Sequence, residues 1–182
     1  MRLFFAVFPP PEVQKLAYRA ADPLRIGHDA VAWVKRENLH VTMRFLGEVE
    51  DAAAEKAAGA MRETAAARTR FGAALGGFGA FPTAKRARVI WVGMLQGAEP
   101  MRLLAGALDD ALTRQGFEPS DQAFEPHLTL GRVRAAGDWT TRLLDAPSVE
   151  ARFQVDRLRL VRSVLSPGGS TYEVIGEAPL KE

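Results

Sequence analysis

The chain has no cysteine among its 182 residues. That absence excludes disulfides, thiolate catalysis and cysteine-built zinc sites together, and nothing in the composition asks for an oxidising compartment. Histidine is nearly as scarce, at three, and lysine is confined to Lys15, Lys35, Lys56, Lys85 and Lys181. Every other basic residue is an arginine, whose planar fork suits phosphate oxygens. No window is apolar enough for long enough to span a bilayer. The opening MRLFFAVFPPPE lacks the basic region, long apolar stretch and cleavage site of a secretory leader. These absences set the expectation of a cytoplasmic protein that does not enter a membrane. A net charge of +2, from 24 basic and 22 acidic residues, says little about partners.

What is present is ordinary globular material: 47% hydrophobic and 25% charged residues, in a length that suits one compact domain or two closely packed lobes. Strand and helix patterns alternate. Strands are expected over residues 2–8, 30–35, 39–47, 71–82 and 87–95, in PHLTLGRV, in FQVDRLRLVRSVL as one run, and in STYEVI after an SPGGS turn. Helices are expected over 10–22, with proline in the first turn, over the Ala-rich 51–70 capped by Asp51, and over 100–115 with Gly116 as the stop. No linker or low-complexity tract divides the chain. Each half nonetheless holds an early strand, a helix and a strand with the pattern His-x-Thr, a weak echo that fits two similar lobes around a cleft in an α+β fold of mainly antiparallel sheet.

Two of the three histidines carry that pattern: His40 in NLHVTMRFLG and His127 in EPHLTLGR. Only nine residues are threonine, so chance would place Thr two positions after two of three histidines about once in a hundred such sequences. Side chains alternate across a strand, which puts His40, Thr42 and Arg44 on one face and Val41, Met43 and Phe45 on the other; His127 shares a face with Thr129. A lone histidine on a strand is more often structural than catalytic. Two imidazoles, with no thiol and no nearby carboxylate cluster, suit a general acid and a general base on opposite sides of a phosphorus. The threonine hydroxyls would then bond the non-bridging oxygens, and no metal or other cofactor is required.

The stretches WVKRENLHVTMRFLGEV, FEPHLTLGRV and LRLVRSVLSPGGSTYEVI together resemble the 2H (two-histidine) phosphoesterases, and within them the RNA 2',3'-cyclic phosphodiesterase branch formerly called 2'-5' RNA ligases. The likeness runs over essentially the whole chain. It implies a single two-lobed domain over residues 1–182, with a pseudo-twofold axis, helices outside and a central groove between the two motifs. Carried over, His40 would protonate the leaving oxygen, His127 would activate water, and Thr42 and Thr129 would hold the phosphate. The implied reaction opens an RNA-terminal 2',3'-cyclic phosphate to a 2'-phosphomonoester. Its alternatives are action on 2'-5' linkages or small cyclic phosphates, or RNA binding without turnover. The expected partner is RNA with a cyclic phosphate end, for a monomer without obligate protein partners.

Other residues are open between two roles. Arg44 has the parity to meet a substrate phosphate, and an ion pair is equally open to it. Arg132 has the wrong parity relative to His127 unless Gly131 introduces a bulge, though it matches the family's position for a substrate-side arginine. Among Phe5, Trp33, Trp91 and Tyr172, any could stack a base, with core packing favoured for most. His28 lacks a Thr at +2 and reads as a surface residue. GGFGAF lacks phosphate-loop spacing and reads as a glycine-loosened strand. In RLRLVR, Leu158 and Leu160 face the core, while Arg157 and Arg159 face outward, solvated or along an RNA backbone.

Overall fold

The computed structural model describes residues 1–26, 30–166 and 169–182. Among them nine strands form one sheet: β1 (Arg2–Val7), β2 (Val31–Trp33), β3 (Val41–Glu48), β4 (Phe71–Phe81), β5 (Ala87–Gln96), β6 (His127–Gly137), β7 (Arg152–Val155), β8 (Arg157–Ser166) and β9 (Gly169–Pro179). All the strand pairings are antiparallel, in the order β7-β4-β5-β6-β3-β1-β8-β9, with β2 also on β6. The helices are α1 (Pro11–Ala20), α2 (Asp22–Arg25), α3 (Asp51–Ala67), α4 (Ala98–Arg114) and α5 (Thr140–Asp145).

The order divides into two similar four-strand lobes. In one, β1 lies between β3 and β8, with β9 outermost; in the other, β5 lies between β6 and β4, with β7 outermost. Among the strand pairings, the lobes meet at a single position, Val41 with Leu128. This is the expected α+β architecture with an approximate twofold. Its lobes are not the two halves of the chain, however. One lobe runs from β4 to β7 with β2 added on β6, and the other combines β1 and β3 with the last two strands.

The run FQVDRLRLVRSVL shows how this comes about. It was expected as one strand, and it is two, broken at Asp156. β7 pairs with β4 at one end of the sheet and β8 with β1 near the other. One residue can join them because the sheet curls until its ends approach: Thr69 bridges Lys181, and the Leu180 N–H bonds to the Asp156 carbonyl. The curl leaves one face of the sheet open as a groove. The helices cover the other, and Ala17, Leu24, Met61, Leu108 and Leu143, one from each, all join the same core as Phe5, Val41 and Leu128.

Local chemistry accounts for the helix ends. Prolines open α1 where an N–H would have no partner, and Gly116 at φ 93° closes α4. Asp51, expected as the cap of α3, is its first helical residue; Glu50 holds the cap position without a side-chain bond, so Asp51 acts through the helix dipole instead. α5 has no counterpart in the sequence reading, because its six residues are too few to show a helical period. β4 is the expected glycine-loosened strand.

Candidate active site

Val41 and Leu128 are both 0% exposed. On a pleated strand the neighbours of an inward residue face outward, so His40, Thr42, His127 and Thr129 all turn to the open face of the sheet. Antiparallel pairing sets His40 across from Thr129 and Thr42 across from His127. The join between the lobes thus gathers both His/Thr pairs from sequence positions 87 apart.

Both rings are oriented in the same way. His40 Nδ1 lies 2.6 Å from the Asn38 carbonyl, and His127 Nδ1 lies 2.7 Å from the Glu125 carbonyl. Each contact is to the residue two positions earlier. A carbonyl only accepts, so Nδ1 carries the proton and donates, which leaves Nε2 of each neutral ring as the base. The carbonyls point back because the chain does not enter as strand: the 3-10 turn Arg36–Asn38 precedes His40, and Pro126 holds Glu125 away from helical conformation. At His40 the Thr42 hydroxyl lies 2.9 Å from Nε2 and donates to it.

Aromatic side chains wall both imidazoles. His40 has the rings of Phe4, Phe8 and Tyr172 with centroids at 5.0, 5.2 and 5.2 Å. His127 has Phe81 at 4.9 Å and Trp91 at 6.2 Å. Trp91 can lie there because its strand neighbour is Gly79: a Cβ on that glycine would fall inside the indole. Of the aromatics singled out in the sequence, Trp91 and Tyr172 are therefore at the site, whereas Phe5 is in the core and Trp33 packs against Trp139. Phe4, Phe8 and Phe81 were missed. β1 is buried at five of its six positions, so its pattern does not reveal which face carries the histidine; had it done so, Phe4 and Phe8 would follow together by period two.

Loss of water around the rings sets their charge. Burial pushes the His40 imidazole down from 6.5 to about 4, against the raising effect of the Asn38 carbonyl and with help from the neighbouring His127. His127 is lowered too, by burial first; the Glu125 carbonyl and carboxylate oppose that, and the Arg132 cation adds to it. Burial likewise raises Tyr172. Both histidines are neutral at pH 7 in the free protein.

Two bulges decide which arginine reaches the groove. Between the partners of Ala6 and Phe5, β3 carries the extra residue Met43, and between the partners of Trp91 and Ile90, β6 carries the extra residue Leu130. Each lies three positions after a histidine. The residue at +4 therefore turns to the core, and the residue at +5 turns to the groove. This overturns simple parity at Arg44, which pairs with Phe5 on the helix side, forms an ion pair with Asp109, its Nε 3.0 Å from the carboxylate, and donates through its terminal nitrogen to the Glu118 carbonyl. Phe45 takes the groove side in its place, 57% exposed and 5.8 Å from the Phe4 ring. In β6 the same shift brings Arg132 onto the His127 face, the bulge its parity required. Gly131 permits it, since a Cβ there would stand 2.7 Å from Val31 and 2.8 Å from the Trp33 ring.

Among the described residues no group of three or more His, Asp or Glu side chains converges to hold a metal ion, and no helix is long and apolar enough to cross a membrane. His28 lies outside the described residues, as do positions 167 and 168 of the SPGGS turn.

Paired histidines and threonines, mirrored across the join of a two-lobed antiparallel sheet, define a phosphoesterase-like site. The chain belongs to the 2'-5' RNA ligase superfamily, whose family model matches residues 9–166. Among curated relatives, the RNA 2',3'-cyclic phosphodiesterase of Thermotoga maritima is 32% identical over 97% of this chain and 94% of its own length. That of Aeropyrum pernix is 36% identical over 79% and 83%. Crystal structures agree: a Thermus thermophilus protein superposes with a TM-score of 0.86 at 30% identity, and Escherichia coli LigT complexed with 3'-AMP with 0.83 at 26%, each over 100% of this chain and 98% of the other.

Proposed function

We propose that this protein hydrolyses the 2',3'-cyclic phosphate at an RNA end to a 2'-phosphomonoester, using His127 as general base and His40 as general acid, without a metal ion. The observation that carries the reading is the matched pair of Nδ1–carbonyl bonds, which turns the Nε2 of each ring to the proton-transfer role, with the Thr42 hydroxyl on the His40 Nε2 in the free protein. Relatives that share most of the chain's length are named for action on this RNA end, which supports the substrate.

In the proposed step His127 Nε2 takes a proton from water as its oxygen bonds to phosphorus. The bond from phosphorus to the 3'-oxygen breaks on the opposite side, and His40 Nε2–H delivers a proton to that oxygen. Water is consumed and the histidines exchange protonation states, which solvent resets. Thr42 and Thr129 donate to the non-bridging oxygens as charge accumulates there. Arg132 supports the assignment of the base, because its positive charge helps keep His127 neutral. The anionic phosphate, entering beside His40, favours the imidazolium the acid needs. Arg44, bound to Asp109, serves the fold.

The test is an oligoribonucleotide with a 2',3'-cyclic end, incubated with the protein in EDTA. A 2'-phosphate product supports the reading. A 3'-phosphate would exchange the leaving oxygen and the two roles, and no turnover would leave an RNA-binding protein.

A further inference from the structure

The Phe8 ring contacts both His40, with centroids 5.2 Å apart, and the Arg159 guanidinium, 5.4 Å from the ring centroid. Phe8 and Arg159 then line a hollow of about 560 Å³ that also reaches Gln14 of α1 and Glu37 of the 3-10 turn before His40. Glu37 in turn borders a second hollow, about 490 Å³, between α1 and that turn. Both volumes are in the range of ligand pockets.

The second hollow has a distinct charge. Lys15, Arg19, Lys35 and Arg36 line it, together with Tyr18 and the two carboxylates of Asp22 and Glu37. Asp22 is already held by Arg25 at 2.7 Å. The four cations are exposed and make no ion pair with a described residue. That contrasts with Arg157 and Arg159, which share Asp156 and Glu177. It is also where two of the chain's five lysines stand. Four cations facing the one remaining carboxylate, Glu37, in a concave surface cost stability through mutual repulsion, and the matching ligand is a run of closely spaced anions.

We propose that this hollow docks the sugar–phosphate backbone of the RNA upstream of the reacting end, which leaves the histidines past Phe8 and Arg159 and places successive phosphates against Lys15, Arg19, Lys35 and Arg36. The inference rests on the reading of the site as one for RNA ends. It adds that a chain of nucleotides is bound, where the histidines alone would accept a mononucleotide. No base edge is read by these side chains, so the contact is indifferent to sequence and sensitive to salt.

The test compares wild type with the Lys15→Ala/Arg19→Ala/Lys35→Ala/Arg36→Ala variant. Two substrates are used, a mononucleoside 2',3'-cyclic phosphate and a twelve-nucleotide RNA with the same end. The ratio of kcat/KM for the oligomer to that for the mononucleotide should fall at least ~30-fold at low salt. The slope of log affinity against log salt should shrink by about 3, or about 0.7 for each of four lost phosphate contacts on a single strand. An unchanged ratio overturns the proposal. A second readout does not need turnover: the anisotropy of a labelled RNA with an ordinary 3'-hydroxyl end should report weaker binding to the quadruple variant and tighter binding to Glu37→Gln. Equal binding by wild type and both variants refutes the docking site even if cyclic ends are hydrolysed. Charge-dependent binding sustains it even if they are not. Lys56→Ala/Arg62→Ala, on the exposed side of α3, is the control, and a loss there as large as at the hollow would also count against the proposal.

Discussion

Val41 pairs with Leu128 at the one strand pairing between the two lobes, and each is the residue directly after a histidine. This contact sets how the two His/Thr pairs face each other. Leu128→Ala should cost about 2–5 kcal/mol of stability, the usual range for a buried leucine whose cavity does not collapse. Urea unfolding measures it; a loss below about 1 kcal/mol would show that the lobes are held elsewhere.

The paired bulges predict opposite outcomes for two arginines of similar sequence position. Arg132→Gln should lower kcat/KM by roughly 10- to 100-fold with little effect on stability, as expected for a lost charged contact to phosphate. Arg44→Gln should do the reverse, leaving turnover within a few-fold while destabilising the protein by about 1–3 kcal/mol, because Asp109 loses its cationic partner and is left with the Ser120 N–H. Steady-state kinetics and urea unfolding on both variants decide it. The opposite assignment would mean that simple strand parity, and not the bulges, governs these side chains.

Gly79→Ala tests the wall of the His127 side. The added methyl displaces the indole of Trp91, so tryptophan fluorescence should change and kcat/KM should fall by about tenfold as the His127 ring loses its packing. Gly72→Ala, whose Cβ meets nothing within 4 Å, is the matched control. Unchanged fluorescence in Gly79→Ala would place the indole elsewhere.

The depressed histidines predict two pH effects. Since kcat/KM reports the free protein, its maximum should lie below pH 6.5, falling on the alkaline side as the last imidazolium is lost. Stability should move the other way. The unfolded chain binds protons at pH 6.5 where the folded His40 does not until about 4, so stability is fully present above 6.5 and is lost as the pH falls toward 4. His40→Gln should flatten the midpoint of thermal unfolding over that window. A midpoint in that variant as acid-sensitive as wild type would assign the effect to other groups.

Much of the site was legible because period-two alternation and the His-x-Thr repeat are local signals. His40, Thr42, His127 and Thr129 come out of them directly, and the repeat even anticipates the approximate twofold. The bulges were not legible at Arg44, since an extra residue in one strand is defined only by its partner; at Arg132 a glycine next in line gave the hint. The break at Asp156 is marked in the sequence only by a slip of phase, from apolar Phe153 and Val155 to apolar Leu158 and Leu160 across two polar residues. Only closure of the sheet shows that the two parts belong to opposite lobes. The walls of Phe4 and Phe8 follow from β1, which is buried at five of its six positions so that apolar pattern carries no direction, and Phe81 ends a glycine-rich strand with no clear alternation. Charge in the hollow beside α1 was equally invisible, because Lys15 and Arg19 meet Lys35 and Arg36 only after α1 packs on the turn before β3.

The central claim is that two histidines move the two protons of one displacement. Its most direct test is single-turnover hydrolysis of the cyclic-ended oligoribonucleotide by wild type, His40→Ala and His127→Ala. Each substitution should slow the chemical step by at least ~100-fold, as expected of a positioned acid or base. Near-normal turnover by either variant would contradict the account.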